Sequence, residues 1–187
     1  MHVLSKTRIL GISGSLRIGS YNTAALEAAA ELAPEDAEIE IYSISGFPEF
    51  VQGHDDNPPE KVIEFKRKIR EADAILISSP EYNYSVPGVL KNAIDWASRP
   101  YGDSAWDGKP AAIMGASPGA VGTARMQYHL RQIMVFLNMF PLNRPEVMIA
   151  NCSKKFDEQG KLTDEKTSEF IKKLVVSLVE HTKLLNG

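Results

Sequence analysis

Three serines, one arginine and one asparagine occur between residues 13 and 22, and glycines separate them. An apolar run at 7–12 precedes this stretch, and a run rich in helix-forming residues at 20–33 follows it. A turn between a strand and a helix presents backbone amides to an anion, and the helix dipole favours negative charge there. The pattern therefore predicts a phosphate-binding loop whose donors are Ser13, Ser15, Arg17, Ser20 and Asn22.

The spacing of the glycines argues against two common phosphate loops. A dinucleotide fingerprint needs G-x-G-x-x-G and an acidic residue at the end of the second strand. Here the glycines are Gly11, Gly14 and Gly19, and that strand ends at Ser43. A nucleoside-triphosphate loop needs a lysine where this chain has Ser20. The remaining donors suit the terminal phosphate of a mononucleotide, and the alternative is a Gly- and Ser-rich turn without a ligand.

The length and composition are those of a single domain covering residues 1–187. The net charge of −3 predicts no basic surface for nucleic acid or for an anionic membrane. The single cysteine, Cys152, argues against a disulfide framework. No apolar run reaches the roughly 18 residues that a membrane span needs. Because the N-terminus lacks the apolar core of a signal peptide, we expect a cytoplasmic protein.

Five predicted strands alternate with five predicted helices. The strands are expected at 7–12, 38–43, 73–79, 110–115 and 146–150, and the helices at 20–33, 58–71, 87–99, 121–138 and 163–185. Strands that are apolar throughout indicate burial on both faces, as in a parallel sheet. The alternation predicts a doubly wound α/β fold, in which ligands bind outside the carboxyl ends of the strands. The loops after strands one, three and four should therefore form the site, and the long loop 44–57 is a further candidate.

Two tyrosines flank Asn83 in the loop after the third predicted strand. Tyr82 and Tyr84 would border a flat aromatic ligand at this edge of the sheet, or would pack the loop onto the sheet. Ser85 is predicted to cap the following helix, and Pro87 is predicted to lie in its first turn.

The loop after the fourth predicted strand matches G-x-S-x-G, the nucleophile elbow of serine hydrolases. That elbow uses the backbone N–H after the serine as an oxyanion donor, but Pro118 follows Ser117 and has no N–H. A hydrolase is therefore not expected, and the four histidines are too scattered to predict a metal site. The three glycines of the loop are interpreted as clearance for a ring or a second ligand: Gly115, Gly119 and Gly122.

With these loops, the chain resembles the NADPH-dependent FMN reductase family, which is flavodoxin-like, and in particular its branch of bacterial quinone and chromate reductases. The resemblance rests on G-S-L-R-x-x-S-x-N at 14–22, P-E-Y-N-Y-S-V-P-G at 80–88, L-K-N-A-I-D-W at 90–96 and G-x-x-R-x-Q-Y-H-L-R-Q at 122–132. These motifs follow the family's order over most of residues 11–135. One departure is Thr123, where many relatives have a second glycine.

The resemblance implies a five-stranded parallel sheet of order 2-1-3-4-5 that holds FMN without a covalent bond. The first loop is then expected to contact the FMN phosphate, through Ser13, Ser15, Leu16, Arg17, Ser20, Tyr21 and Asn22. The second loop is expected to run beside the isoalloxazine, through Pro80, Glu81, Tyr82, Asn83 and Tyr84. Ser117 and Gly119 are expected at the other edge of that ring system.

The resemblance also implies an enzyme that transfers hydride from NADPH or NADH to FMN and then reduces a quinone, a flavin, an azo compound or chromate. Because a flavin carries this chemistry, no catalytic side chain is expected. The alternative is a flavodoxin-type electron carrier, against which the modest net charge and the Gly-rich loop 115–122 argue. The branch further implies a homodimer or homotetramer, with subunit contacts at Arg125, Tyr128 and Glu146.

Overall fold

Residues 6–186, the part of the chain that the computed structural model describes, form six strands, five α-helices and a short 3-10 helix at Cys152–Lys154. The strands are β1 (Thr7–Ser13), β2 (Ala37–Tyr42), β3 (Ala74–Ser78), β4 (Pro110–Ala116), β5 (Phe140–Pro141) and β6 (Val147–Ile149). The helices are α1 (Tyr21–Glu31), α2 (Glu60–Glu71), α3 (Gly88–Ala97), α4 (Ala124–Phe136) and α5 (Glu165–Asn186). Within residues 6–186 no helix combines the length and the hydropathy needed to cross a membrane. His2, one of the four histidines, lies outside the described residues.

The strands form one parallel sheet in the order β2-β1-β3-β4, and both β5 and β6 pair with β4. This arrangement confirms the predicted doubly wound sheet of order 2-1-3-4-5. Its fifth position differs from the prediction, because it holds two short strands instead of one strand at 146–150. Pro141 ends β5 and Pro145 precedes β6. Since proline has no N–H to donate, it interrupts the ladder between the two segments.

The helices cover both faces of the sheet and create two hydrophobic clusters. Helices α2, α3 and α4 pack on one face, where Phe65 and Trp106 are fully buried. Helices α1 and α5 pack on the other face, where Leu26 and Val175 are fully buried. Every residue of β3 is buried between the two layers. Burial on both sides explains why the central strands are continuously apolar.

The loops after β1, β3 and β4 meet at Ser79, directly after β3. The amide of Gly14 donates to the Ser78 carbonyl at 2.8 Å. A Cβ atom on Gly14 would lie 2.3 Å from the Ser79 Oγ, and one on Gly115 would lie 2.3 Å from the Ser79 carbonyl oxygen. Only glycine permits these approaches, so the two glycines bring the three loops together at one edge of the sheet.

The loop 44–57 is anchored to α3 through its middle residues. The Asn92 carboxamide accepts from the Phe50 amide and donates to the Pro48 carbonyl, both at 2.8 Å. The Trp96 indole N–H donates to the same carbonyl at 2.9 Å, and the Trp96 ring meets Phe50 edge-on. These contacts hold the first half of the loop beside the carboxyl ends of the strands.

Candidate functional site

An open cavity of about 460 Å³ lies at the carboxyl end of β1, beside the start of α1. Residues from the predicted phosphate loop line it, namely Ser15, Leu16, Arg17, Ser20 and Tyr21. Further lining residues come from α1, namely Thr23, Ala24 and Glu27, and from two other segments of the chain, namely Ser43, Ser45, Gln159 and Gly160. The cavity therefore lies where the doubly wound fold places ligands.

The local sequence explains the shape of this loop. Ser20 is the N-cap of α1, and its Oγ accepts the Asn22 amide at 3.2 Å. Gly19 has a φ of +68°, which glycine adopts without strain. Within residues 6–186 the amides of Leu16, Ile18 and Gly19 have no protein acceptor. Amides of this kind at a helix N-terminus are suited to binding an anion.

Arg17 supplies the positive charge of the cavity. Its side chain is exposed, and no carboxylate in the described part of the chain lies within ion-pair distance of its guanidinium. An arginine without an acidic partner beside serine hydroxyls and free amides forms an anion receptor. The nearby Cys152 is buried, and desolvation raises the pKa of its thiol despite the neighbouring charges of Arg17 and Lys155. Its thiol therefore remains protonated and is a poor nucleophile.

Two of the predicted phosphate-binding residues lie behind the cavity. The Ser13 Oγ pairs with the Thr23 Oγ1 at 2.9 Å and is buried. The carboxamide of Asn22 is 3 % exposed and bonds to both backbone polar groups of Ala116 and to the Ser78 hydroxyl. The polar groups of these two side chains thus join α1 to the sheet, and their direct contact with a phosphate stays a prediction.

The loop after β3 presents two tyrosine rings. Tyr82 and Tyr84 are 52 % and 69 % exposed, so neither packs the loop onto the sheet. Backbone hydrogen bonds of 3.1 and 2.9 Å between Tyr82 and Ser85 close a tight turn around Asn83 and Tyr84. The predicted helix-capping role of Ser85 is wrong, because Pro87 is the N-cap of α3 and the Ser85 Oγ instead bonds to the His129 Nδ1 at 2.8 Å.

Glu81 binds the N-terminus of α4 instead of pointing into solvent. Its Oε2 accepts the amides of Arg125 and Met126 at 2.9 and 3.1 Å, and its Oε1 accepts the Arg125 guanidinium at 2.9 Å. Burial of Glu81 acts to raise its pKa, but these hydrogen bonds outweigh the effect and hold the pKa below its usual value. The carboxylate therefore stays ionised and caps α4.

Of the three glycines at the end of β4 and in the loop after it, only Gly119 has room for a side-chain carbon without a close contact. A Cβ on Gly115 would collide with Ser79 and Thr123, and one on Gly122 would lie 3.1 Å from the Met148 Cβ. The interpretation of all three glycines as clearance for a ligand is therefore wrong for Gly115 and Gly122, which instead permit close packing within the protein. The nearest atom to a Cβ on Gly119 would be the Ser117 Oγ, at 3.5 Å.

The geometry around Ser117 agrees with the exclusion of a hydrolase. Its Oγ accepts the Gly119 amide at 3.1 Å. The two histidines that follow it in the chain bind elsewhere, since His129 pairs with Ser85 and the His181 Nε2 bonds to the Phe140 carbonyl at 3.0 Å. Neither of these two histidines therefore activates Ser117.

The residues expected at subunit contacts make contacts within one chain. Arg125 binds Glu81, and its guanidinium carbon lies 3.9 Å from the centre of the Tyr84 ring. Hydrogen bonding to Glu146 of the same chain raises the pKa of the Tyr128 phenol. The expected subunit contacts of Arg125, Tyr128 and Glu146 stay a prediction, since each of these residues also has a partner within its own chain.

Four residues that line the cavity lie outside both the predicted phosphate loop and α1, and were not predicted from the sequence. Ser43 ends the second predicted strand, and Ser45 lies at the start of the loop 44–57. The predicted strand order could therefore have placed both residues at the edge of the sheet where ligands bind. Gln159 and Gly160 belong to a turn in which Asp157 accepts amides from Gln159 and Lys161. No sequence signal connects this turn with the phosphate loop, and contacts such as that between Tyr21 and Phe156 bring them together.

Comparisons with known proteins identify the family of the chain. The family described as NADPH-dependent FMN reductase matches residues 7–154. An NAD(P)H-dependent FMN reductase of Pseudomonas aeruginosa is 52 % identical over 181 residues, covering 96 % of this chain and 97 % of the relative. A 2-hydroxy-1,4-benzoquinone reductase of Burkholderia sp. is 44 % identical over 164 residues, covering 88 % and 90 %.

One solved structure resembles this chain in both sequence and fold. FerB from Paracoccus denitrificans, a flavoenzyme NAD(P)H:(acceptor) oxidoreductase, superposes with a TM-score of 0.87 at 36 % identity. The match covers 95 % of this chain and 97 % of that one. The matched family region contains β1 to β6 and all three loops that form the site. The chain belongs to the NADPH-dependent FMN reductase family.

Proposed function

We propose that the cavity beside α1 holds the phosphate of FMN. The observation that supports this most directly is the guanidinium of Arg17, which has no acidic partner among the described residues and stands beside the Ser15 and Ser20 hydroxyls and the open amides of the loop. This donor set fits a doubly charged terminal phosphate. Ser43 and Ser45 would provide further hydroxyl donors on the far wall of the cavity.

The isoalloxazine would lie between the loop after β3 and the loop after β4. The proposed neighbours on one side are Pro80, Tyr82, Asn83 and Tyr84, whose exposed aromatic rings are available to a flat ligand. Ser117 and Gly119 would border the other edge, where the backbone leaves open space. Glu81 would contribute indirectly, by fixing the loop after β3 to α4.

The chain is an NAD(P)H-dependent oxidoreductase of the FMN reductase family. When bound, FMN supplies the two-electron chemistry, accepting hydride from a nicotinamide and giving electrons to a second substrate. The residues of the chain bind and orient the reactants and supply fixed dipoles beside them. We propose quinones as the acceptors, because several relatives are named quinone reductases, with free flavins, azo compounds and chromate as further acceptors of the same site.

We propose that subunits associate through the outer face of α4. Val135 and Phe136 are large apolar side chains on this helix that are 78 % and 74 % exposed, and Tyr128 is exposed two turns earlier. Aromatic and arginine side chains beside apolar residues are typical of interfaces. A homodimer or homotetramer would cover this face, and a cytoplasmic location fits the free thiol of Cys152.

Absorption spectroscopy of the purified protein tests the proposed function. We expect a yellow protein with bound FMN that bleaches on anaerobic addition of NADPH or NADH, each added separately. Adding a benzoquinone should restore the colour and yield one hydroquinone for each nicotinamide oxidised. Release of one-electron quinone radicals as the main product would support the carrier and contradict the reductase. A colourless protein that binds no FMN in a titration would contradict both.

A further inference from the structure

The turn between Tyr82 and Ser85 is strained by its sequence. Asn83 and Tyr84 have φ values of +50° and +64°, so both occupy the left-handed region. Two central residues with positive φ, closed by the pair of backbone hydrogen bonds, are typical of a type I′ turn, which favours Asn-Gly. Asparagine tolerates this conformation, but it is unfavourable for a residue such as Tyr84. Contacts from outside the turn therefore have to maintain its shape.

Arg125 provides those contacts at both ends of the loop. At the start, its guanidinium and its backbone amide bind the two carboxylate oxygens of Glu81, each at 2.9 Å. At the strained position, its guanidinium carbon lies 3.9 Å from the centre of the Tyr84 ring. A guanidinium stacked on an aromatic ring is attracted to the face of that ring. One side chain of α4 therefore clamps both Glu81 and Tyr84.

The clamp is strong because one of its partners is shielded from water. The Glu81 side chain is 8 % exposed, whereas Arg125 is 43 % exposed. Removing the guanidinium would leave a buried carboxylate with only backbone donors, which is unfavourable. A second attachment lies one turn further along α4, where the Ser85 Oγ bonds to the His129 Nδ1 at 2.8 Å. The loop is thus fixed to α4 at its start and at its end.

We propose that Arg125 is a positioning residue that holds the Tyr82–Ser85 turn in the conformation that receives the flavin ring. This inference rests on the proposed function, which places residues 80–84 beside the isoalloxazine. Arg125 acts through Glu81 and Tyr84, and it acts within its own subunit. Its role therefore differs from the subunit contact that the family resemblance implies.

The first test needs no flavin. Hydrogen exchange at the Tyr82 and Ser85 amides reports opening of the turn, because these amides form its two backbone hydrogen bonds. We expect these amides to exchange about tenfold faster in Arg125→Ala than in the parent. Arg125→Lys should exchange at an intermediate rate, because lysine keeps the positive charge but lacks the planar guanidinium that stacks on Tyr84. Arg131→Ala is the matched control, because it removes the same charge from α4 and its bond to the Leu142 carbonyl lies away from the turn. Unchanged exchange in Arg125→Ala would overturn the proposal.

The second test measures the flavin itself. We expect Arg125→Ala to bind FMN about tenfold more weakly and to alter the visible circular dichroism of the bound flavin, with partial rescue in Arg125→Lys. Glu81→Gln should weaken binding similarly, and the double variant should be little worse than either single variant. Affinity within about twofold of the parent, or fully additive losses, would overturn the proposal. A parent that binds no FMN would instead contradict the proposed function, and the exchange experiment would still decide whether the clamp exists.

Discussion

The carboxamide of Asn22 pairs with both backbone polar groups of Ala116. Its Oδ1 accepts the Ala116 amide at 2.8 Å, and its Nδ2 donates to the Ala116 carbonyl at 3.0 Å. The same Oδ1 accepts the Ser78 hydroxyl at 3.2 Å. A side chain on α1 therefore occupies the place that a neighbouring strand would take at the end of β4. This pairing connects the phosphate loop to the other two loops of the site.

Replacing Asn22 with Ala should destabilise the fold by about 2–4 kcal/mol, because buried polar groups of Ala116 lose their partners. Urea denaturation measures the effect. The folded variant should still bind FMN at saturating concentrations, because the carboxamide lies behind the cavity. Unchanged stability combined with loss of FMN would contradict the structural role and identify Asn22 as a direct ligand.

Replacing Arg17 with Ala should weaken FMN binding by about 1.5–3 kcal/mol, because a charge-assisted hydrogen bond to the phosphate is lost. Quenching of flavin fluorescence gives the two dissociation constants. Arg67→Ala serves as the control, since Arg67 pairs with Glu71 on α2 at 2.8 Å. Equal affinities for the parent and Arg17→Ala would show that the phosphate lies elsewhere.

Gly115, near the end of β4, and Gly119, in the following loop, should respond differently to alanine. Gly115→Ala should lower stability by about 1–3 kcal/mol, because its Cβ would lie 2.3 Å from both the Ser79 carbonyl oxygen and the Thr123 Oγ1. Gly119→Ala should change stability by less than about 0.5 kcal/mol, because the space around it is open. Thermal unfolding of the apoproteins separates the two cases. If Gly119 borders the flavin ring, Gly119→Ala should instead change the affinity for FMN or NADPH. Equal destabilisation by Gly115→Ala and Gly119→Ala would contradict the different surroundings of the two glycines.

The stability of the protein should fall as acid protonates Glu81. The folded state holds the pKa of this carboxyl below its usual value of 4.5, so its contribution is complete above that pH and disappears as the pH falls through the folded-state pKa. Glu81→Gln should therefore be less stable than the parent at pH 7, and the difference should narrow below pH 4.5. Urea titrations at several pH values measure it, with Glu158→Gln as an exposed control. A difference independent of pH would contradict an ionised Glu81 as the cap of α4.

The oligomeric state should depend on Tyr128. Light scattering on the parent should report about four subunits, as expected for a face that carries exposed Tyr128, Val135 and Phe136. Tyr128→Ala should shift the assembly towards dimers while FMN stays bound. Tyr101→Ala is the control, since this tyrosine is also exposed but lies outside α4. A monomeric parent at micromolar concentration would contradict the proposed interface.

The sequence by itself determined the fold and the location of the site. Continuously apolar strands alternating with helices predicted the parallel sheet, because burial on both faces requires apolar residues at every position. The glycine and serine pattern at 11–22 pointed to the loop that lines the cavity beside α1, because those residue types set the local backbone and its donors. The fifth strand was predicted only in part, since its division into β5 and β6 depends on pairing with β4.

Tertiary structure decided which of these polar residues are available to a ligand. Ser13 carries the same hydroxyl as Ser15 and Ser20, but it pairs with Thr23 on α1, and the Asn22 carboxamide is engaged by Ser78 and Ala116. Glu81 and Arg125 are 44 residues apart in the chain, and only the fold makes them partners. Local sequence specifies what a side chain can bind, whereas long-range packing specifies what it reaches, because each donor or acceptor is satisfied by whichever group the fold brings nearest.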